Sequence, residues 1–208
     1  MSYRVSKEEL AIKRVESLIE RRDILLNSCL LRQTPHSVEL WDERLDILQK
    51  DEAAYVRTFH ECLTSVDPFK ADGRLSSLWT RFADHFEASF DIAAANQVYW
   101  KAACSVLKST DEYVALWVAW IEMLLRVGAY EDALDLAKYP LTQTLANKKH
   151  NLVYSNRLWS LLLDLELNFG NRDTVRDCYQ KMIDLTVVTP YNLLNFAKYL
   201  IDQSVSEV

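Results

Sequence analysis

The chain has 208 residues, half of them apolar and 26% charged, with a formal net charge of −6. Such a chain can bury a sizeable core, and the acidic balance leaves no extended basic patch for binding nucleic acid through phosphates. Three glycines and four prolines are too few for the turns of a β-sheet protein, and no run approaches the roughly 20 uninterrupted apolar residues of a membrane span.

No charged start and apolar middle of a signal peptide follow Met1. Ser6-Lys7-Glu8-Glu9 is a capping-box pattern at the front of a helix through Ile12, Val15 and Leu18-Ile19, and a second apolar run extends from Ile24 to Leu31. This helical lead-in covers 6–33. At Thr34-Pro35, the threonine is expected to cap the next helix and the proline to take its first position, where its missing N–H costs nothing.

From here the chain repeats. Leu40-Trp41, Leu78-Trp79, Leu116-Trp117 and Leu158-Trp159 place tryptophans 38, 38 and 42 residues apart, a period that marks a stacked repeat array. With each Trp as position 0, offsets −1, 0, +3, +4 and +7 are apolar throughout except for Arg44 and Glu166. Offset +5 is always acidic: Asp46, Asp84, Glu122 and Asp164. At about 100° per residue the apolar offsets share one side of a helix and +5 lies largely opposite. Each unit therefore opens on an amphipathic helix, with Trp41, Trp79, Trp117 and Trp159 as core anchors.

Breaks at Gln49-Lys50-Asp51, Ser89-Phe90-Asp91, Val127-Gly128-Ala129 and Phe169-Gly170-Asn171 separate each first helix from a second. Gly128 and Gly170 are expected at positive φ, where the missing Cβ removes the strain. The second helices carry small residues such as Ala95, Ala102, Ala103, Ala133 and Ala137, which let two backbones approach closely. Units are expected at about 34–67, 76–108, 111–146 and 151–187, each an antiparallel helix hairpin unable to bury both its faces alone. Thr189-Pro190 repeats the capping device, and an incomplete unit, 189–203, follows with Leu193, Leu194, Phe196, Ala197 and Leu200. Leu193, Phe196, Ala197 and Leu200 form a stripe with no later helix to cover it. The chain therefore reads as a slice of a longer array, with fraying or self-association expected at that stripe.

No catalytic, cofactor-binding or metal-binding constellation stands out. Cys29, Cys62, Cys104 and Cys178 lie far apart in apolar helical patterns and read as buried reduced thiols. His36, His60, His85 and His150 lack ligand spacing, and Lys148-Lys149-His150 reads as a solvated loop. Asp164 and Glu166 point some 200° apart on one helix, so they share no site. The four +5 carboxylates read as a solvated face. P-loop, G-x-G-x-x-G, G-x-S-x-G and H-E-x-x-H patterns are all missing. Trp100 is the candidate for an exposed aromatic, with contact to the next unit as the alternative.

Three segments carry a resemblance: Leu25 to His36 leading to Trp41; Thr64-Ser65-Val66-Asp67-Pro68-Phe69-Lys70-Ala71 with Gly73; and Asn151-Leu152-Val153-Tyr154-Ser155 leading into Leu158-Trp159 and on to Glu166. Together they resemble the middle section of the Syf-type pre-mRNA splicing factors, the XPA-binding protein two family. These are built of HAT ("half-a-TPR") repeats and are related to crooked-neck. The resemblance implies an all-α fold, a right-handed superhelical array of antiparallel helix pairs (an α-solenoid). It also implies a nuclear, non-catalytic scaffold of the NineTeen complex, without cofactor or membrane contact. Its partners would be other splicing factors, among them a crooked-neck-type HAT protein, with only weak RNA contact from this segment. The alternatives are a HAT scaffold of a cleavage/polyadenylation or ribosome-biogenesis assembly, or a direct RNA-binding array. Some positions depart from the pattern. Ala95-Asn96, Trp100-Lys101, Ala133-Leu134 and Lys138-Tyr139-Pro140 replace the usual Ala-Arg and Glu-Arg pairs of second helices, and Asp23 stands where a proline is expected.

Overall fold

The computed structural model describes residues 7–142 and 151–206. Ser6 of the expected capping box and the Lys148-Lys149-His150 loop lie outside the described residues. The helices are α1 (Lys7–Glu20), α2 (Arg22–Gln33), α3 (Val38–Leu48), α4 (Glu52–Ser65), α5 (Leu75–Ala88), α6 (Ile92–Cys104), α7 (Thr110–Val127), α8 (Tyr130–Thr142), α9 (Asn156–Phe169), α10 (Arg172–Asp184) and α11 (Pro190–Ser206). A 3₁₀ turn, Leu152–Tyr154, precedes α9. The only β pairing among the described residues is an isolated parallel bridge between Ser37 and Asp72. No helix there is long and apolar enough to cross a membrane. The chain divides into two compact units, Met1–Leu78 and Trp79–Val208.

In the first unit, α1 packs on α2, α2 on α3 and α3 on α4. Leu45, Phe59 and Cys62 are fully buried between them. The expectation for Thr34-Pro35 is corrected here. Helix α3 starts at Val38, and the Thr34 hydroxyl donates backward to the Leu30 carbonyl at 3.1 Å, finishing α2. The cause is the loop after α4. Val38 N–H donates to Asp72 O at 3.2 Å and Asp72 N–H to His36 O at 3.1 Å, which holds residues 36–37 extended and delays the helix. Gly73 follows at φ +123°, and a Cβ there would come within 3.0 Å of the Val38 Cβ. Both its dihedral and its neighbour require glycine.

The same loop contains the Val66-Asp67-Pro68 segment. Val66 and Ala71 are buried, and the Asp67 N–H donates to His36 Nδ1 at 3.2 Å. The Asp67 carboxylate accepts from Phe69 N–H at 3.0 Å. This segment thus fastens the exit of α4 to the entry of α3, closing one helix pair upon itself.

In the second unit, α6 packs on α7, α7 on α8, α8 on α9 and α9 on α10. Breaks of two or three residues between partners, such as Gly128-Ala129, leave room only for a reversal, so the pairs are antiparallel. Helix α7 is buried on most sides, with Leu116, Trp117, Ile121 and Met123 at 0% exposure. Its end is a Schellman motif: Ala129 N–H reaches Leu124 O at 3.0 Å, Gly128 N–H reaches Leu125 O at 3.1 Å, and Gly128 has φ +85°.

Gly170 departs from its expectation. Its φ is −86°, and the reason for glycine is proximity instead: an added Cβ would overlap the Glu166 carboxylate, which folds back over this position. The left-handed cap falls elsewhere on residues that resist it. Phe90 (φ +60°) and Thr186 (φ +56°) occupy the same C′ site of Schellman motifs, with Asp91 N–H to Phe86 O at 2.9 Å and Val187 N–H to Met182 O at 3.0 Å. The second helices begin with matching caps. Asp51, Asp91 and Asn171 accept from Ala54, Ala94 and Thr174 N–H at 3.1, 3.0 and 2.9 Å. The Thr189 hydroxyl caps α11 as expected, accepting from Asn192 N–H at 3.2 Å, with Pro190 as first residue.

Candidate interaction surface

Three anchors are buried, Trp41 at 7%, Trp117 at 0% and Trp159 at 4% exposure, while Trp79 is half-buried. Burying a tryptophan removes about 150–250 Å² from water, worth roughly 4–6 kcal/mol as an upper figure. Two anchors have a further role. Trp41 Nε1 donates to Pro35 O at 2.9 Å, and Trp159 Nε1 to Val153 O at 2.7 Å, each six residues upstream. The indole thereby fixes the segment that leads into its own helix.

The two polar intruders in the apolar columns both have partners. Arg44 Nη1 donates to Ser28 Oγ at 2.9 Å. Glu166, 3% exposed, pairs with Lys138 Nζ at 2.9 Å and accepts from Thr174 Oγ1 at 2.6 Å. The +5 carboxylates Asp46, Asp84, Glu122 and Asp164 are all exposed, so Asp164 and Glu166 face opposite environments. Desolvation pushes the Asp84 carboxyl above its ordinary value, with Glu87 adding to the shift and Arg126 opposing it. Arg126 grips Glu87 with both arms, Nε to Oε1 at 2.8 Å and Nη2 to Oε2 at 2.7 Å, and this hydrogen bonding holds the Glu87 carboxyl below its ordinary value.

Trp100 lies at the surface beside two rings of α7 and α8. It is 43% exposed, and its ring also meets Trp120 and Tyr139 edge-on, with centroids 6.3 and 5.7 Å away. Trp120 stacks between Tyr99 at 5.7 Å and Trp117 at 5.3 Å, and its Nε1 donates to Asn96 Oδ1 at 2.6 Å. The result is an aromatic ledge shared by α6, α7 and α8. It forms the floor of a groove of about 350 Å³, with Asp132 and Asp135 at its edge.

On α11 the stripe is split. Phe196 turns inward and stacks on Tyr179 at 4.3 Å, while Leu193 is 45% and Leu200 37% exposed and Ala197 faces outward. The thiols are corrected in part: Cys62 and Cys178 are buried, but Cys29 and Cys104 are exposed. Cys29 lies some 200° around α2 from both Asn27 and Leu31, the two buried residues of that helix, and Cys104 is the last residue of α6. Burial pushes the Cys62 thiol up to about 12, with Asp42 adding, and the Cys178 thiol likewise to about 12, with Glu166 adding. His36 accepts a backbone bond, as above. Among the described residues no three His, Cys, Asp or Glu side chains are placed to hold a metal ion.

Repeated helix hairpins with tryptophan anchors define a helical-repeat protein. Residues 68–207 match the family model for the pre-mRNA-splicing factor Syf1/CRNKL1 C-terminal HAT repeat, and residues 3–66 match that for the SYF1 middle HAT repeat. The chain belongs to this Syf1-type HAT-repeat family. The likeness to a middle section thus holds for the first part of the chain, and the larger remainder corresponds to C-terminal repeats. The chain is 34% identical over 204 residues to the pre-mRNA-splicing factor syf1 homolog of Drosophila melanogaster, which covers 92% of this chain and 23% of that protein. It is 33% identical over 201 residues to human pre-mRNA-splicing factor SYF1, covering 92% and 24%. To pre-mRNA-splicing factor cwf3 of Schizosaccharomyces pombe it is 27% identical over 196 residues, covering 89% and 25%. The chain spans about a quarter of the length of these curated relatives.

Proposed function

We propose that this chain is part of a nuclear, non-catalytic scaffold that works in pre-mRNA splicing and holds other splicing factors within the NineTeen complex, a crooked-neck-type HAT protein among them. The observation that supports this most is the match to Syf1-type repeats along nearly the whole chain, from relatives that carry the name pre-mRNA-splicing factor. The physical reading agrees. Tryptophan anchors and the Lys138–Glu166 pair, buried on its glutamate side, serve packing, and Trp100 leaves an aromatic face open to a partner. A net charge of −6 favours protein partners over nucleic acid. We further propose repeat units at about 34–67, 76–108, 111–146 and 151–187, with one more first helix from 189.

The test is purification of the full-length protein from nuclear extract with identification of what accompanies it. Splicing factors of the NineTeen complex are expected. Recovery of cleavage and polyadenylation or ribosome-biogenesis factors in their place would overturn the assignment.

A further inference from the structure

The groove bounded by α6, α7 and α8 has a chemistry that selects its occupant. Its floor is Trp100, Trp120, Leu136 and Tyr139, and its edge carries Asp132 and Asp135. The floor is rigid, because Trp120 is stacked on both sides and its indole N–H is held by Asn96 at 2.6 Å. Asp132 and Asp135 are one turn apart on α8, so they face the same way, and both are exposed. Neither carboxylate has a hydrogen bond or ion pair among the described residues. No basic side chain lines the groove, and Lys138, the nearest cation along α8, is engaged by Glu166 at 2.9 Å. At about 350 Å³ the space is at the low end for a ligand pocket, suited to one long side chain.

We propose that this groove receives an arginine side chain presented by a segment of a partner protein. A guanidinium plane stacks on an aromatic ring and directs its fork of N–H donors at carboxylates, which combines the two features the groove offers. Lysine supplies a point charge without the stacking plane. Nucleic acid matches less well: a base could stack on Trp100, but its phosphates would meet Asp132 and Asp135. The proposal rests on the chain being a protein-binding array and adds which chemistry one face recognises.

The six tryptophan indole N–H resonances of the ¹⁵N-labelled chain give a direct reading. The probe is a capped hexapeptide alternating arginine and glycine, compared with its lysine counterpart and with a short oligouridylate. Saturable shifts are expected at Trp100 and Trp120, with Trp41 and Trp159 unmoved. Binding should weaken about tenfold with the lysine peptide, in Trp100→Leu and in Asp132→Asn/Asp135→Asn. The double variant changes only exposed carboxylates, so its unchanged Trp159 resonance serves as the folding control. The proposal is overturned by the absence of any shift at Trp100 and Trp120 up to millimolar peptide. It is equally overturned by affinity that the double variant leaves intact, or by tighter binding of the oligouridylate at the same indoles. A failed titration removes the groove assignment and leaves co-purification with splicing factors, the test of the broader reading, standing by itself.

Discussion

Lys138 Nζ lies 2.9 Å from the Glu166 carboxylate, joining α8 to α9, with the lysine 39% exposed and the glutamate only 3%. A buried carboxylate without its cation is costly, whereas removal of both charges is not. Lys138→Met should therefore lower stability by about 1–2 kcal/mol, since the half-exposed lysine is screened by water and Thr174 still serves one oxygen. Adding Glu166→Leu should recover most of that loss. Urea midpoints of the two variants provide the check, and a double variant no better than the single one would show that the pair is not the source of the effect.

Phe90 is 91% exposed at φ +60°, so its side chain gains nothing from packing while its Cβ strains the backbone. Phe90→Gly should stabilise the protein by about 1 kcal/mol, the strain of a left-handed residue less glycine's added chain entropy. Thermal melting measures this, and a lower midpoint in the glycine variant would contradict it.

The Arg126–Glu87 pair makes stability depend on pH. Arg126 holds the Glu87 carboxyl below its ordinary value of 4.5, so the contribution is present above that value and is lost as pH falls through the lower folded one. Arg126 also opposes the upward shift of Asp84, which acts in the same direction. The gap in urea midpoint between wild type and Arg126→Gln should be constant at neutral pH and close on acidification. A gap that stays open at the acid end would assign the effect to packing of the arginine stem.

Periodicity made the helix order legible, because the Leu-Trp columns and their acidic offset depend on local spacing alone. The four breaks between helices fall where the sequence placed them for the same reason. Thr34-Pro35 was misread since the bridge that delays α3 comes from Asp72, far along the chain. Gly170 was misread because a folded-back Glu166 side chain, and not the backbone dihedral, demands glycine there. Asn96, Lys138 and Tyr139 register in the sequence only as departures from a repeat pattern, whereas Trp100 also stands out as an exposed aromatic. Their shared logic, an indole held by Asn96, an aromatic ledge and an ion pair to Glu166, exists once α6, α7, α8 and α9 meet.

The thiols should separate by accessibility. Cys29 and Cys104 are exposed, whereas Cys62 and Cys178 are buried with their thiols raised to about 12, which leaves almost no thiolate at neutral pH. Iodoacetamide on the native protein should add two groups, mapped by mass spectrometry to Cys29 and Cys104, and four after unfolding. Rapid native labelling of Cys62 or Cys178 would mean that their helix pairs open far more readily than this packing allows.

On the function proposed, the chain serves splicing by binding proteins directly. The most direct measurement is co-purification with the full-length protein from nuclear extract, before and after thorough nuclease digestion. The same splicing factors should remain in the same proportions once RNA is destroyed. Their loss on digestion would contradict the account and make RNA the bond between this array and its complex.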